Sequence, residues 1–367
     1  AWEAVNEAAF DAARRGGCPS LSTRLEADLA EALRRIIPCA DMSRFVKTGT
    51  EACMAAIRVA RWTTGRETVL VCGYHGWADW YAASKPRHEG VPADLERLAV
   101  AFPYNDLSAL EQLFVTFRRL RRPVAAVMME ACLYQMPAPE YLPEVRRLCT
   151  KEGALLIFDE VVTGFRWATG GAQEFFGITP DLATFGKAMA NGWPLAALVG
   201  KSEIMRQAEF CSSTFGAETP PLAAALETIQ AYQEHSVCAV MWEMGGEFQR
   251  RIASIIQATG VPFVCEGYAC KPRLRCTDEE PERQRLLMSL LLQQGARAGV
   301  LLHPSGQNLS LSHGPQELDL AEQALRGVFE TMRDALADGR LQQRLLGQPY
   351  EEKYRALADE GHGGPRA

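Results

Sequence analysis

Ala154-Leu155-Leu156-Ile157-Phe158-Asp159-Glu160 is the stretch whose reading decides the fold, together with Leu182-Ala183-Thr184-Phe185-Gly186-Lys187 and Leu195-Ala196-Ala197-Leu198-Val199 further on. Each begins as a short, unbroken apolar run. The first stops at an acid and the second at a glycine and a lysine. Moving outward, Val69-Leu70-Val71-Cys72 stops at Gly73, and Val124-Ala125-Ala126-Val127-Met128-Met129 stops at Glu130. A strand that is apolar throughout, rather than at every second position, is covered on both faces, as in a parallel sheet between helices. Residues 51–63, 107–119 and 141–152 carry helical spacing between these runs. The fold class predicted is α/β, with a large domain built on a mostly parallel sheet.

From about residue 221 long helical patterns take over, at 222–235, 237–258, 281–298 and 316–336, with short strand candidates at Phe263-Val264 and Leu309-Ser310-Leu311. The expected organisation is a helical segment over 1–40 and the large domain over 41–220. Linking helices over 221–258, a smaller C-terminal α+β domain over 259–336 and a helical, polar tail over 337–367 complete it. Trp2, Val5, Ala8, Ala9 and Ala12 already share one helical face, which predicts further sequence ahead of Ala1. The Gly-rich end, Gly361 to Ala367, reads as frayed.

The chain has 367 residues, 47% hydrophobic and 23% charged, with 39 basic and 45 acidic side chains for a net charge of −6. That mild acidity argues against a nucleic-acid or anionic-membrane partner, both of which call for a basic face. No apolar stretch is long enough to span a bilayer. Eleven cysteines without paired spacing read as reduced thiols of a cytoplasmic protein. There is no GxGxxG, P-loop or HExxH, and the irregular Cys265, Cys270 and Cys276 argue against zinc. His303 and His313 flank the last strand candidate, where structural roles are expected.

Ligands of an open parallel sheet bind outside the carboxyl ends of its strands, so the polar residues there carry the interest. Asp159 delivers a carboxylate to the edge of an apolar layer; taken alone, a salt bridge or a helix cap would explain it. Glu160 suggests a carboxylate pair, but neighbouring strand residues face opposite ways and cannot flank one bond. Lys187 follows a buried run, and a lysine held in a partly apolar niche becomes a usable amine, although surface lysines are common. Gly49-Thr50 opens a helix, where free N–H groups and a hydroxyl suit a phosphate, or where Thr is simply a cap. Ser212-Ser213-Thr214 adds hydroxyls, or is an ordinary polar loop. Taken in order between Gly49 and Lys187, an anion cradle, an aromatic (Tyr74), an acid and an amine describe the needs of pyridoxal 5′-phosphate.

These motifs carry a resemblance. Phe45-Val46-Lys47-Thr48-Gly49-Thr50-Glu51-Ala52, Gly73-Tyr74-His75-Gly76 and the block from Leu155 to Gly200 resemble the class III aminotransferases of fold type I, with the glutamate-1-semialdehyde 2,1-aminomutase branch nearest. The similarity covers most of residues 1–336 and implies a pyridoxal-phosphate enzyme that passes an amino group from a small-molecule donor to a carbonyl acceptor by way of pyridoxamine phosphate. Residue by residue, it implies that Lys187 forms the Schiff base and Asp159 pairs with the ring nitrogen. Val161 and Tyr74 would cover the two ring faces, and Gly49 and Thr50 would hold the phosphate. Glu130 and His75 fall at active-site positions. Thr214 would come from the other subunit, which implies a homodimer with shared sites and neither nucleic-acid nor membrane partners.

The sequence departs from that family around the substrate. Lys47-Thr48 replaces the usual Asn-Ser, Ala131 replaces a Pro after Glu130, and the loop to Tyr141 is short. Ala217-Glu218-Thr219 replaces Gly-Asn-Pro, and the family's N-terminal substrate segment has no counterpart. Intermolecular aminotransfer is the leading reading. An intramolecular aminomutase, a racemase or epimerase, and an inactive cofactor-retaining scaffold are its rivals.

Overall fold

The apolar runs fold as strands of one seven-stranded sheet in the computed structural model, which describes residues 2–86, 88–132 and 134–351. The strands are β1 (Met42–Val46), β2 (Thr68–Cys72), β3 (Ala99–Ala101), β4 (Val124–Met129), β5 (Leu155–Asp159), β6 (Leu182–Phe185) and β7 (Ala196–Gly200). Their spatial order is β1-β7-β6-β5-β4-β2-β3. β6, β5, β4, β2 and β3 pair in parallel, whereas β7 runs antiparallel to both β6 and β1. β1 therefore points the same way as the parallel set. Every residue of β2, β4, β6 and β7 is buried, as continuous apolar strands require.

Nine helices accompany this sheet among the described residues: α1 (Glu3–Arg15), α2 (Arg24–Ile36), α3 (Gly49–Thr64), α4 (Asp79–Ala82), α5 (Leu107–Arg119), α6 (Tyr141–Glu152), α7 (Ala172–Phe176), α8 (Ser202–Met205) and α9 (Thr219–His235). The central one is α3. Its buried positions, Ala52, Cys53, Ala55, Ala56, Ile57, Val59 and Ala60, are mostly small, so its backbone lies close against β5, β6 and β7. Thr48 and Glu51 form a reciprocal capping box at its start: the Glu51 N–H donates to Thr48 Oγ1 at 3.2 Å, and the Thr48 N–H donates to Glu51 Oε2 at 2.9 Å. Arg146 and Lys201 both reach Asp181, whose Oδ2 also accepts the Leu156 N–H, and this ties the beginnings of β5 and β6 together. Those three donors, acting against burial, hold the Asp181 carboxyl below its ordinary range.

The chain divides into two compact units, one of residues 2–132 and 137–235 and one of 134–136 and 236–351. The second contains α10 (Val237–Thr259), β8 (Phe263–Glu266), β9 (Arg273–Cys276), α11 (Pro281–Arg297) and α12 (Pro315–Ala337). β8 and β9 form an antiparallel pair. Its core gathers Phe248, Ile252, Leu274, Leu290, Leu325 and Phe329.

One expected strand is absent. Leu309-Ser310-Leu311 is irregular, because the Ser310 N–H is spent on His313 Nδ1 at 3.0 Å instead of a ladder. His303 is engaged in the same way, accepting from the Ser305 N–H at 3.1 Å. β1, β3 and β9 had no counterpart in the sequence reading. β1 is half exposed along its length and β3 has only three residues, so neither presents a long apolar run. The segment from Gly361 to Ala367 lies outside the described residues.

Candidate active site

Because β1, β2, β4, β5 and β6 point the same way, their carboxyl ends share one rim of the sheet. The segments that follow them carry Gly49 and Thr50, Gly73 to Gly76, Glu130, Asp159 and Lys187. Asp159 is the last residue of β5 and stands beside Thr184 of β6, three residues before Lys187.

Asp159 is 4% exposed, and its carboxylate is surrounded by donors. Oδ1 accepts from the Val161 N–H at 3.1 Å and from Thr184 Oγ1 at 3.4 Å. Oδ2 accepts from Cys53 Sγ at 3.5 Å and lies 2.8 Å from His75 Nδ1. With the carboxylate ionised, that ring nitrogen is the donor. His75 is wholly buried, and its other nitrogen, Nε2, has no partner. Burial, and next the Asp159 charge, push the Cys53 thiol well up, so it stays protonated and remains a donor.

The loop that supplies His75 is wedged between its neighbours. Gly73 and Gly76 have φ of 107° and 93°. A Cβ on Gly73 would lie 2.6 Å from Glu130 Oε2, and one on Gly76 would stand 3.0 Å from Thr50 Cβ and Cγ2. Both the conformation and the space demand glycine. Glu130 Oε2 accepts the Tyr74 N–H at 2.9 Å. Burial, then the Asp159 charge, push the Glu130 carboxyl up to about 7, opposed by His75, the Tyr74 N–H and the Lys187 charge. Tyr74 packs edge-on against Tyr81 at 5.8 Å, and Tyr81 in turn donates to the Gly73 carbonyl at 2.6 Å.

At the start of α3, a Cβ on Gly49 would sit 3.0 Å from both methyl groups of Val161. The backbone there comes close to the segment after Asp159. Lys47 Nζ donates to Glu218 Oε2 at 2.7 Å, so two of the departures noted in the sequence form one ion pair. Its partial burial, 17% and 32% side-chain exposure, sets it apart from the solvated surface pairs. Thr214 lies in an exposed turn and has no recorded contact with the Asp159 cluster.

Glu160 points away from Asp159, as strand alternation requires. Its carboxylate accepts the Ala172 and Gln173 N–H groups at 2.7 and 2.9 Å, as well as the Thr163 hydroxyl. It anchors α7 and takes no part in the rim. Lys187 corrects one expectation. It is exposed rather than enclosed in an apolar niche, because the buried run ends at Gly186 and the lysine turns outward at φ 45°. A non-glycine residue in that region is strained, a condition that clusters at functional positions. Asp159, His75 and Cys53 form a network that could be found only in part from the sequence. Cys53 was signalled solely by its place on the small-residue face of α3.

These residues fit pyridoxal phosphate. A buried, donor-ringed carboxylate suits a protonated ring nitrogen, an exposed amine on the neighbouring strand end suits an aldehyde, and the glycine-led start of α3 suits a phosphate.

Comparison with known proteins agrees. The profile of the family Aminotransferase class-III matches residues 3–312. A 3-aminobutyryl-CoA aminotransferase from Cloacimonas acidaminovorans (strain Evry) is 35% identical over 333 residues, covering 88% of this chain and 78% of the relative. The FumI protein of Sphingopyxis sp. MTA144, solved in its PLP internal aldimine form, superposes with a TM-score of 0.85 at 26% identity, covering 92% of this chain and 82% of its own. An omega-transaminase from Sphaerobacter thermophilus gives 0.81 at 25% identity, covering 91% and 84%. The chain belongs to the class III aminotransferases, with the α/β fold of the fold type I pyridoxal-phosphate enzymes. It is a pyridoxal-phosphate enzyme that moves an amino group from a donor to a carbonyl acceptor.

Proposed function

We propose that this aminotransferase works in the cytoplasm as a homodimer, with Lys187 as the amine that holds the cofactor and Asp159 as the acid facing its ring nitrogen. When bound, pyridoxal phosphate supplies an aldehyde that captures amines and a ring that draws electrons from the donor carbon. Asp159, fixed by His75, Cys53, Thr184 and the Val161 N–H, keeps that ring nitrogen protonated. Lys187 Nζ then moves the donor-carbon proton; a positioned base of this kind contributes about 10²–10⁴-fold. Tyr74 and Val161 cover the ring, Gly49 and Thr50 hold the phosphate with Thr214 contributed across the dimer, and Glu130 and His75 complete the rim. Trp77 and Phe215 are 73% and 53% exposed in the single chain, which supports a second copy covering this face.

The observation that carries the reading is Asp159 buried at the end of β5, in register with the strand that leads into Lys187. The donor proposed is an amine set back from an acyl or acid group, after the aminobutyryl compound in the relative's name. Borohydride reduction of the holoenzyme followed by peptide mapping should place the trapped cofactor on Lys187; a label on any other lysine refutes the assignment. A half-reaction with 3-aminobutyrate tests the donor class. An aminomutase would need no second substrate, and an epimerase would exchange the donor-carbon hydrogen without net transfer.

A further inference from the structure

The second unit carries a guanidinium that no acid among the described residues answers. Arg273 opens β9, and its guanidinium carbon lies 4.2 Å from the centroid of the Tyr134 ring. Its Nε is buried without a hydrogen-bond partner. The nearest acid across the hairpin, Glu266, is already engaged: Arg275 donates to its two oxygens at 2.7 and 3.0 Å. Lys271, two residues earlier and therefore on the same side of an extended chain, places Nζ 5.1 Å from the same ring. It donates to the Ser305 carbonyl at 2.8 Å, a neutral acceptor. Between the two cations, the Pro272 carbonyl accepts the Gln307 N–H at 2.7 Å and pins the segment. The cations are thus held around one aromatic plate, and the chain supplies Arg273 with no counter-charge.

A planar guanidinium fixed on an aromatic face is a fork for a two-oxygen anion, and a buried N–H without an acceptor is costly until something fills it. We propose that Arg273, with Lys271 beside it on the Tyr134 ring, is the subsite for an oxyanion, carboxylate or phosphate, carried by the amino-group substrate. Tyr134 follows Glu130 by only four residues in the chain, within the shortened loop noted in the sequence. The proposal rests on the donor class of the preceding section and deepens it: the acid end of the donor is what Arg273 reads.

The test uses the holoenzyme, whose cofactor-phosphate site is filled, and compares it with Arg273→Gln and Arg273→Lys. Three amines are followed by the cofactor's absorbance in the half-reaction: 3-aminobutyrate, O-phosphoethanolamine, and 2-aminobutane, which has no acid. Arg273→Gln should raise the KM of the anionic amine about 10–100-fold, as expected for a lost charged hydrogen bond, with kcat little changed. 2-Aminobutane should be unaffected, and Arg273→Lys should recover part of the loss. Whichever anionic amine shows the larger shift identifies carboxylate or phosphate. Calorimetric titration with malonate, an anion without an amine, should give binding to the wild type and none to Arg273→Gln. Equal losses for all three amines, or malonate binding that ignores the substitution, would overturn the proposal and leave Arg273 as a prop for Tyr134. If no amine reacts with the wild type, the donor reading fails, and the malonate titration still decides the subsite.

Discussion

Gly245 and Gly246 are neighbours in the middle of α10, and the same substitution should act on them in opposite directions. Helix propensity alone favours Ala over Gly by about 1 kcal/mol at each. At Gly246 nothing opposes that gain, since an added Cβ would meet only the end of Arg250, 3.9 Å away. Gly246→Ala should therefore stabilise by about 0.5–1 kcal/mol. At Gly245 the Cβ would press into the Ala269 carbonyl, with the carbonyl carbon only 2.6 Å away. Ordinary carbon contacts are about 3.5–4.0 Å, so helix and loop must part by roughly 1 Å. The obstacle is backbone and cannot swing aside. Overpacking costs about 1–3 kcal/mol, and the upper end applies here. Set against the propensity gain, the net loss is about 2 kcal/mol. Urea unfolding followed by far-ultraviolet circular dichroism should show the Gly246→Ala midpoint above wild type and the Gly245→Ala midpoint below it. Because Ala269 leads directly into Lys271 and Arg273, Gly245→Ala should also raise the KM for 3-aminobutyrate. A Gly245→Ala protein as stable as wild type would refute the packing argument.

Lys187→Ala should abolish amine-dependent change in the cofactor spectrum and the borohydride-trapped adduct, and retained activity with a yellow protein would contradict the assignment. Asp159→Asn keeps the shape but cannot neutralise a ring cation, so cofactor affinity measured by dialysis and fluorescence should fall about 10–100-fold. Glu130 titrates near 7 in the folded chain against 4.5 for its ordinary value. The folded form thus binds the extra proton between these values, and stability is lost as pH rises from about 4.5 through about 7. Glu130→Gln in the cofactor-free protein should flatten that slope, by on the order of 1–3 kcal/mol at most given the group's partial exposure; an unchanged pH profile of the urea midpoint would be the contrary result. Gly76→Ala, which combines φ of 93° with the crowding of Thr50, should weaken cofactor binding and lower the thermal midpoint together.

The central sheet was legible because its inner strands are apolar at every position. The run at 124–129 became β4 and that at 182–185 became β6, residue for residue. Helices 107–119 and 141–152 were equally clear from their spacing. β1 was not, since an edge strand with half its residues in solvent carries a weak pattern. β9 could have been found: Arg273-Leu274-Arg275-Cys276 alternates, with Leu274 and Cys276 buried and Arg275 exposed. At the rim, Asp159 and Lys187 stood out by their place after buried runs. The pairing of His75 with Asp159 depends on two glycines bending the loop back, and the exposure of Lys187 on a left-handed turn after Gly186. Neither geometry is written in residue types. The Lys47–Glu218 ion pair joins residues far apart in the chain, and showed in the sequence only as two unexplained departures.

Of the eleven cysteines, only Cys18 is exposed, and its thiol donates to the Thr214 carbonyl at 3.4 Å. Several of the others, Cys39, Cys72, Cys149 and Cys265 among them, are held as protonated thiols by burial, a form that reacts poorly with alkylating reagents. A maleimide fluorophore should therefore attach at essentially one place in the native protein. It would sit against the turn assigned to the neighbouring subunit's phosphate, where its emission would track the joining and parting of two chains with no mutation introduced.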